Sequence, residues 1–182
     1  MWCRTPAIDG AASQAKARLV TDLIEDALEE YSYDAKLAGL VYTVYSDVKG
    51  IYLYVSGYND KLAVLLEEVL ATVRNFEVKD ERFAIVKERL VRSYRNWELS
   101  APKRQIVNYM TWLTVDGGSS IEKIGAELPA VTVETIRSFK QELLSQMHME
   151  FLVHGNFCKE DALKLTDLAS SMLNARILPP QQ

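Results

Sequence analysis

At 182 residues, with 48% hydrophobic and 25% charged side chains, the chain has the size and composition of one soluble domain able to bury roughly 70% of its unfolded surface without disulfide staples. Its 25 acidic against 21 basic residues leave a formal charge of -4, which argues against nucleic acid and against an anionic membrane surface as partner. No apolar run approaches the length of about 20 residues that a membrane-spanning helix requires. Cys3 and Cys158 form neither a disulfide framework nor a C-x-x-C metal knuckle. Met1–Pro6 carries no signal-peptide or presequence pattern, so a cytoplasmic location is the expectation.

After a lead-in over residues 1–10, Val20, Leu23, Ile24, Ala27, Leu28 and Tyr31 recur at helical spacing opposite Asp22, Glu25, Asp26 and Glu29. That pattern predicts an amphipathic helix over residues 11–30 with a solvated acidic face. A helical turn over 32–38 is expected to end at Gly39, which suits a left-handed C-cap. Two β-branched and aromatic runs, Leu40–Tyr45 and Ile51–Ser56, flank a turn containing Gly50 and read as a β-hairpin over 40–47 and 51–58. Asn59 and Asp60 are placed to cap a helix over 60–74 whose buried stripe is Leu62, Leu65, Leu66, Val69, Leu70 and Val73.

A longer helix over 80–98 turns Phe83, Val86, Leu90, Tyr94 and Trp97 inward, and Pro102 opens another running towards Trp112. The pattern breaks at Asp116–Ser120. Thr132 then offers an N-cap to a helix over 132–145, residues 147–154 read as a strand, and Ala162, Leu165, Leu168, Ala169 and Met172 mark a closing helix. Residues 176–182 form an extended tail. The order is α+β, with helices packed on one face of a mainly antiparallel sheet.

Strand alternation places His148, Glu150, Leu152 and His154 on one face. Six residues of strand span roughly 20 Å, so the two histidines cannot share an ion whose bonds to nitrogen are about 2 Å long. A His148–Glu150 structural pair is favoured over a metal site. Gly117–Ser120 lacks the spaced glycines and lysine of a phosphate loop. Alternation sets Tyr52, Tyr54 and Tyr58 on one face as a candidate peptide platform, against the commoner outcome of sheet packing. Arg89, Arg92 and Arg95 make a basic helix face, a candidate contact for an anion or acidic peptide, although interleaved Glu81, Glu88 and Glu98 permit helical ion pairs.

Several blocks carry a resemblance: Glu30-Tyr31, Leu37-Ala38-Gly39-Leu40, Gly57-Tyr58-Asn59-Asp60-Lys61, Phe83 through Lys87-Glu88, Leu128-Pro129 and His154-Gly155-Asn156. Over Thr5 to Met172 the chain resembles the third, non-catalytic domain of the insulysin (insulin-degrading enzyme) family of zinc metallopeptidases. The resemblance implies a middle domain over 11–175 belonging to an enzyme of four similar domains that close around a peptide, with zinc and general base on the first.

The helix that would carry H-x-x-E-H in the catalytic domain here reads Leu19-Val20-Thr21-Asp22-Leu23-Ile24-Glu25. No catalytic or zinc-binding residue carries over, so the chain alone is expected to be inactive, without a cofactor, with zinc only in the catalytic domain. The family's first strand is expected to be missing ahead of Thr5-Pro6. The implied partners are the other domains of the peptidase and its peptide substrate, with self-association through uncovered surface. The alternative is a stand-alone binding or assembly module related to zinc-less members of the superfamily.

Overall fold

Alternation in the two tyrosine-rich runs becomes a hairpin. The computed structural model describes residues 1–29, 31, 35 and 37–178, and in it β2 (Val41–Ser46) pairs antiparallel with β3 (Gly50–Ser56), Val41 lying opposite Ser56 and Ser46 opposite Ile51. Asp47 closes the turn by accepting from the N–H groups of Lys49 and Gly50, both at 2.9 Å. Around the hairpin stands a five-stranded sheet in which β1 (Trp2–Arg4) lies between β3 and β4 (Gln146–Glu150), antiparallel to both. The last strand, β5 (Arg176–Ile177), runs parallel to β4.

Two expectations about the ends of the sheet are corrected. Residues 1–10 are not merely a lead-in, and a strand expected to be missing ahead of Thr5-Pro6 is present, because Trp2–Arg4 occupies the centre of the sheet. Three residues are too few for alternation to show in sequence. Pairing on both edges holds them: Cys3 lies opposite Ile51 on one side and Met149 on the other. Gly50 permits that approach, since a Cβ there would sit 2.1 Å from the Cys3 carbonyl oxygen. At the other end, Arg176 and Ile177 join the sheet and the Leu178 N–H donates to the Met147 carbonyl at 3.1 Å. Residues 179–182 of the expected tail lie outside the described residues.

The helices are α1 (Gly10–Ala27), α2 (Asn59–Asn75), α3 (Asp80–Arg95), α4 (Pro102–Thr114), α5 (Ile121–Glu127), α6 (Val133–Ser145) and α7 (Lys159–Leu173). Short 3-10 turns follow α3 and α5, at Asn96–Leu99 and Leu128–Ala130. The stripe of α2 is buried as its spacing predicts, each of its six side chains contributing about 1.5–3 kcal/mol of transfer free energy. Five of the six, Leu65, Leu66, Val69, Leu70 and Val73, join Leu19, Val20, Leu23 and Ile24 of α1 and the inward residues Cys3, Val44, Ile51, Leu53 and Met147 of the sheet in one core.

Most of the turn expected over 32–38 falls outside the described residues. Gly39 does take a left-handed conformation, φ +71°, and the Leu40 N–H donates to the Ala35 carbonyl at 2.9 Å, the six-to-one closure of such a cap. Thr132 caps α6 with a reciprocal box to Thr135.

Other local features differ from the sequence reading. Asn59 and Asp60 lie inside the first turn of α2, whose N-cap is Tyr58 without a side-chain bond, so the Asp60 charge favours the helix dipole rather than capping it. Helix α5 appears where no element is expected, with Ser120 accepting from the Lys123 N–H at 3.4 Å. The acidic side of α1 is not a solvated face either. Asp22 is buried against Arg18 at 2.9 Å, Glu25 accepts from the Val44 N–H at 3.3 Å, and Asp26 takes a two-pronged bond from Arg82 of α3. α1 is packed on several sides at once, by β2, α3, α5 and α6, which periodicity along one helix cannot reveal.

Candidate functional site

The expected strand over 147–154 pairs only over Gln146–Glu150, and a concavity lies beside residues 151–157. β1 lies between β3 and β4 over residues 2–4, with Trp2 opposite both Tyr52 and Glu150. Met1 adds one more rung, its ammonium donating to the Leu53 carbonyl at 2.8 Å while the Leu53 N–H donates back to the Met1 carbonyl at 2.9 Å. Burial lowers the pKa of that ammonium. The second half of β3 and residues 151–154 lie on either side of the sheet's centre beside Met1.

A groove of about 910 Å³ opens there. Leu53–Gly57 line one wall and Phe151–Phe157 the other, while Leu62 and Leu66 of α2 and Leu165 of α7 form an apolar floor. Gly57, at φ +150°, turns the chain from β3 into α2 at the end of the groove, and a Cβ there would lie 2.4 Å from the Leu40 side chain.

The three tyrosines singled out in the sequence all line this groove. Tyr52 is half-buried and stacked between Trp2 (centroids 5.5 Å apart) and Tyr45 (4.9 Å), with the Arg4 guanidinium over Trp2 at 5.5 Å. Tyr54 is 55% exposed. Tyr58, 75% exposed, lies past the end of β3 against Gly39 and so leaves the alternation that would put it level with the other two. Trp2 adds a buried indole N–H without an acceptor, a local cost of about 1–3 kcal/mol.

The structure does not bring the arginines to the same place. Arg89, Arg92 and Arg95 are exposed on α3, away from the groove lining, and Arg92 is paired with Glu88 at 2.5 Å as helical spacing allows. His148 makes the structural pair, 3.5 Å from Glu150, with its other ring nitrogen 3.2 Å from the Leu178 carbonyl. His154 sits on the groove rim beyond the ladder.

A second surface was visible in the sequence only as a helix. α4 buries none of its side chains, although Ile106, Met110 and Leu113 form an apolar stripe beside Val107, Tyr109 and Trp112. It is tethered near its start, where Gln105 donates to the carbonyls of Glu98 and Ser100 at 2.9 Å, and at its middle, where the Tyr109 hydroxyl donates to Glu122 of α5.

Zinc chemistry needs about three protein ligands and an open position. The carboxylates of α1 are already committed to Arg18, Arg82 and the Val44 N–H, and the helix carries no histidine. Among the described residues no group of three His, Cys, Asp or Glu side chains is placed to hold a metal ion. Nor is any described helix long and apolar enough to cross a membrane.

A sequence model described as the middle or third domain of peptidase M16 matches residues 2–126. The chain belongs to that family. Human insulin-degrading enzyme is 35% identical over 157 residues, covering 86% of this chain and 15% of the human protein. The peroxisomal insulin-degrading enzyme-like 1 of Arabidopsis thaliana is 35% identical over 156 residues, covering 84% of this chain and 16% of its own. The M16 middle domain thus spans less than a fifth of the length of these relatives. The crystal structure of pitrilysin superposes with a TM-score of 0.83 over 94% of this chain and 18% of that one, at 23% identity, a likeness of fold.

Proposed function

We propose that this M16 middle domain is a non-catalytic wall of the chamber of an insulysin-like zinc metalloendopeptidase, helping to enclose and bind peptide while zinc and general base belong to another domain. The observation that carries the reading is the apolar stripe of α4, which is unburied in a domain whose relatives are about six times longer. Contiguous exposed apolar surface of this kind favours contact with another body. In this reading the chain itself holds no zinc, and α4 packs against neighbouring domains of the same enzyme. A cytoplasmic location belongs to the same proposal, supported by the two free thiols.

The test is hydrolysis of a fluorogenic peptide by this chain with zinc added, alone and mixed with the zinc-bearing half of the peptidase from the same organism. The chain alone should be inactive, and the mixture should cleave faster than the zinc-bearing half by itself. Chelator-sensitive cleavage by the chain alone would overturn the reading.

A further inference from the structure

Helix α4 does not collapse onto the body of the domain. It buries none of its side chains, yet Gln105 holds its first turn to Glu98 and Ser100, and the Tyr109 hydroxyl holds its middle to Glu122. Gln14, only 7% exposed near the start of α1, donates to the Gly117 carbonyl at 2.9 Å and pins the segment that follows α4. Held by these bonds rather than by packing, α4 leaves a cavity of about 580 Å³ towards the start of α1, the end of α3 and the β2–β3 turn. Arg104, Asn108, Thr111 and Trp112 line it at helical spacing from one side of α4, while Ile106, Met110 and Leu113 face away.

The lining combines aromatic rings with one uncommitted charge. Tyr94 and the buried Trp97 enter it from the end of α3, and Trp112 enters it from α4. None of these rings stacks on another among the described residues. Two of the charged side chains that reach the lining are already engaged: Arg18 is paired with Asp22 at 2.9 Å, and the Asp47 carboxylate accepts from the Lys49 and Gly50 N–H groups. Arg104 lies 5.9 Å from the centre of the Trp97 ring and has no acidic partner among the described residues. A carboxylate would supply that partner, and a guanidinium accepts one in a two-pronged geometry.

We propose that this cavity binds a small aromatic carboxylate, its acid group on the Arg104 guanidinium and its ring among Tyr94, Trp97 and Trp112. The volume falls within the range of small-molecule pockets, about 300–1,000 Å³. An aromatic ring gains offset or edge-to-face contact with the lining in addition to burial, which an aliphatic acid does not. A cation would meet two guanidinium groups. The site lies at the turn end of the β2–β3 hairpin, away from the groove that Tyr54 and Tyr58 line at its other end. It goes beyond the proposed function and does not rest on it, since the ligand touches the inner side of α4 and leaves the outer stripe untouched.

The test titrates the chain with phenylpropionate and follows the indole N–H signals of Trp97 and Trp112 by nuclear magnetic resonance. We expect saturable binding that shifts both signals. Phenylpropionamide, which lacks the charge, and cyclohexylpropionate, which lacks the ring, should each bind about tenfold more weakly. Arg104→Met, at an exposed side chain, should weaken the acid about tenfold and leave the amide unchanged. Thr111→Phe, which fills the cavity from an exposed position, should abolish binding of both, and Ile106→Glu on the outer side should alter neither. No binding at millimolar acid, equal binding of the amide or of the saturated acid, shifts confined to Trp2, or indifference to Arg104→Met would overturn the proposal.

Discussion

Met1 and Leu53 exchange two backbone hydrogen bonds, at 2.8 and 2.9 Å, and so extend the central ladder one residue past the Trp2–Arg4 strand. Among the described residues, the centre of the sheet consists of Trp2–Arg4 and this further rung. Gly50, opposite Arg4, is the contact that lets it close.

Gly50→Ala should consequently unseat β1. With a methyl group driven to 2.1 Å from the Cys3 carbonyl oxygen, β3 and β1 must part. The cost expected from forcing an atom into packed backbone is about 3 kcal/mol. Urea unfolding should show a lower midpoint with an unchanged slope. A midpoint equal to that of the parent would mean that β1 does not pair with Gly50 in solution.

The two thiols should differ sharply in reactivity. Cys3 is buried in the sheet, and burial pushes its pKa up to about 12, so almost no thiolate forms at neutral pH. Cys158 is exposed at the start of α7, with its thiol 3.1 Å from the Asp161 carboxylate. A thiol reagent should label Cys158 at once and Cys3 only at the rate of unfolding. Equal labelling of both in the native state would contradict the burial of β1.

Asp22 supplies a pH dependence with a definite sign. Burial raises its pKa against the opposing pull of Arg18 and Arg89, so the native state holds this proton more tightly than the unfolded chain. Its contribution to stability is present in full below the ordinary carboxylate pKa and is lost as pH rises through the raised value. Asp22→Asn should remove that loss, so its stability relative to the parent increases with pH across that window. Urea midpoints measured at a series of pH values would show this, and a constant difference would refute it.

How much was legible in the sequence follows from what each element packs against. The stripe of α2 and the Thr132 cap could be read because a single apolar face or a local hydrogen bond determines them. The carboxylates of α1 could not, because Arg82 and the Val44 N–H reach Asp26 and Glu25 from segments 56 and 19 residues away. β1 was too short to show alternation. Residues 151–154 alternate like a strand, while the paired part of β4 is Gln146–Glu150. The tyrosines were recognised as a group, but their common lining of one concavity with Phe151–Phe157 depends on contacts between segments about a hundred residues apart. For α4 the helix was readable and its exposure was not, since an apolar stripe looks the same whether its partner is this domain or another.

The exposed stripe of α4 also predicts association of the isolated domain. Sedimentation across a concentration series should show reversible self-association that Ile106→Glu and Leu113→Glu reduce, without changing the unfolding free energy by more than about 0.5 kcal/mol, because both side chains are already in solvent. Self-association unaffected by these changes would place it elsewhere on the surface.

The central claim is that α4 joins this domain to the rest of a larger peptidase. It is tested most directly by titrating the chain with the remaining domains of that enzyme, expressed separately, and following complex formation by sedimentation velocity. The account predicts a one-to-one complex that Ile106→Glu together with Leu113→Glu weakens at least tenfold while the chain stays folded. No complex, or a complex indifferent to both substitutions, would contradict it.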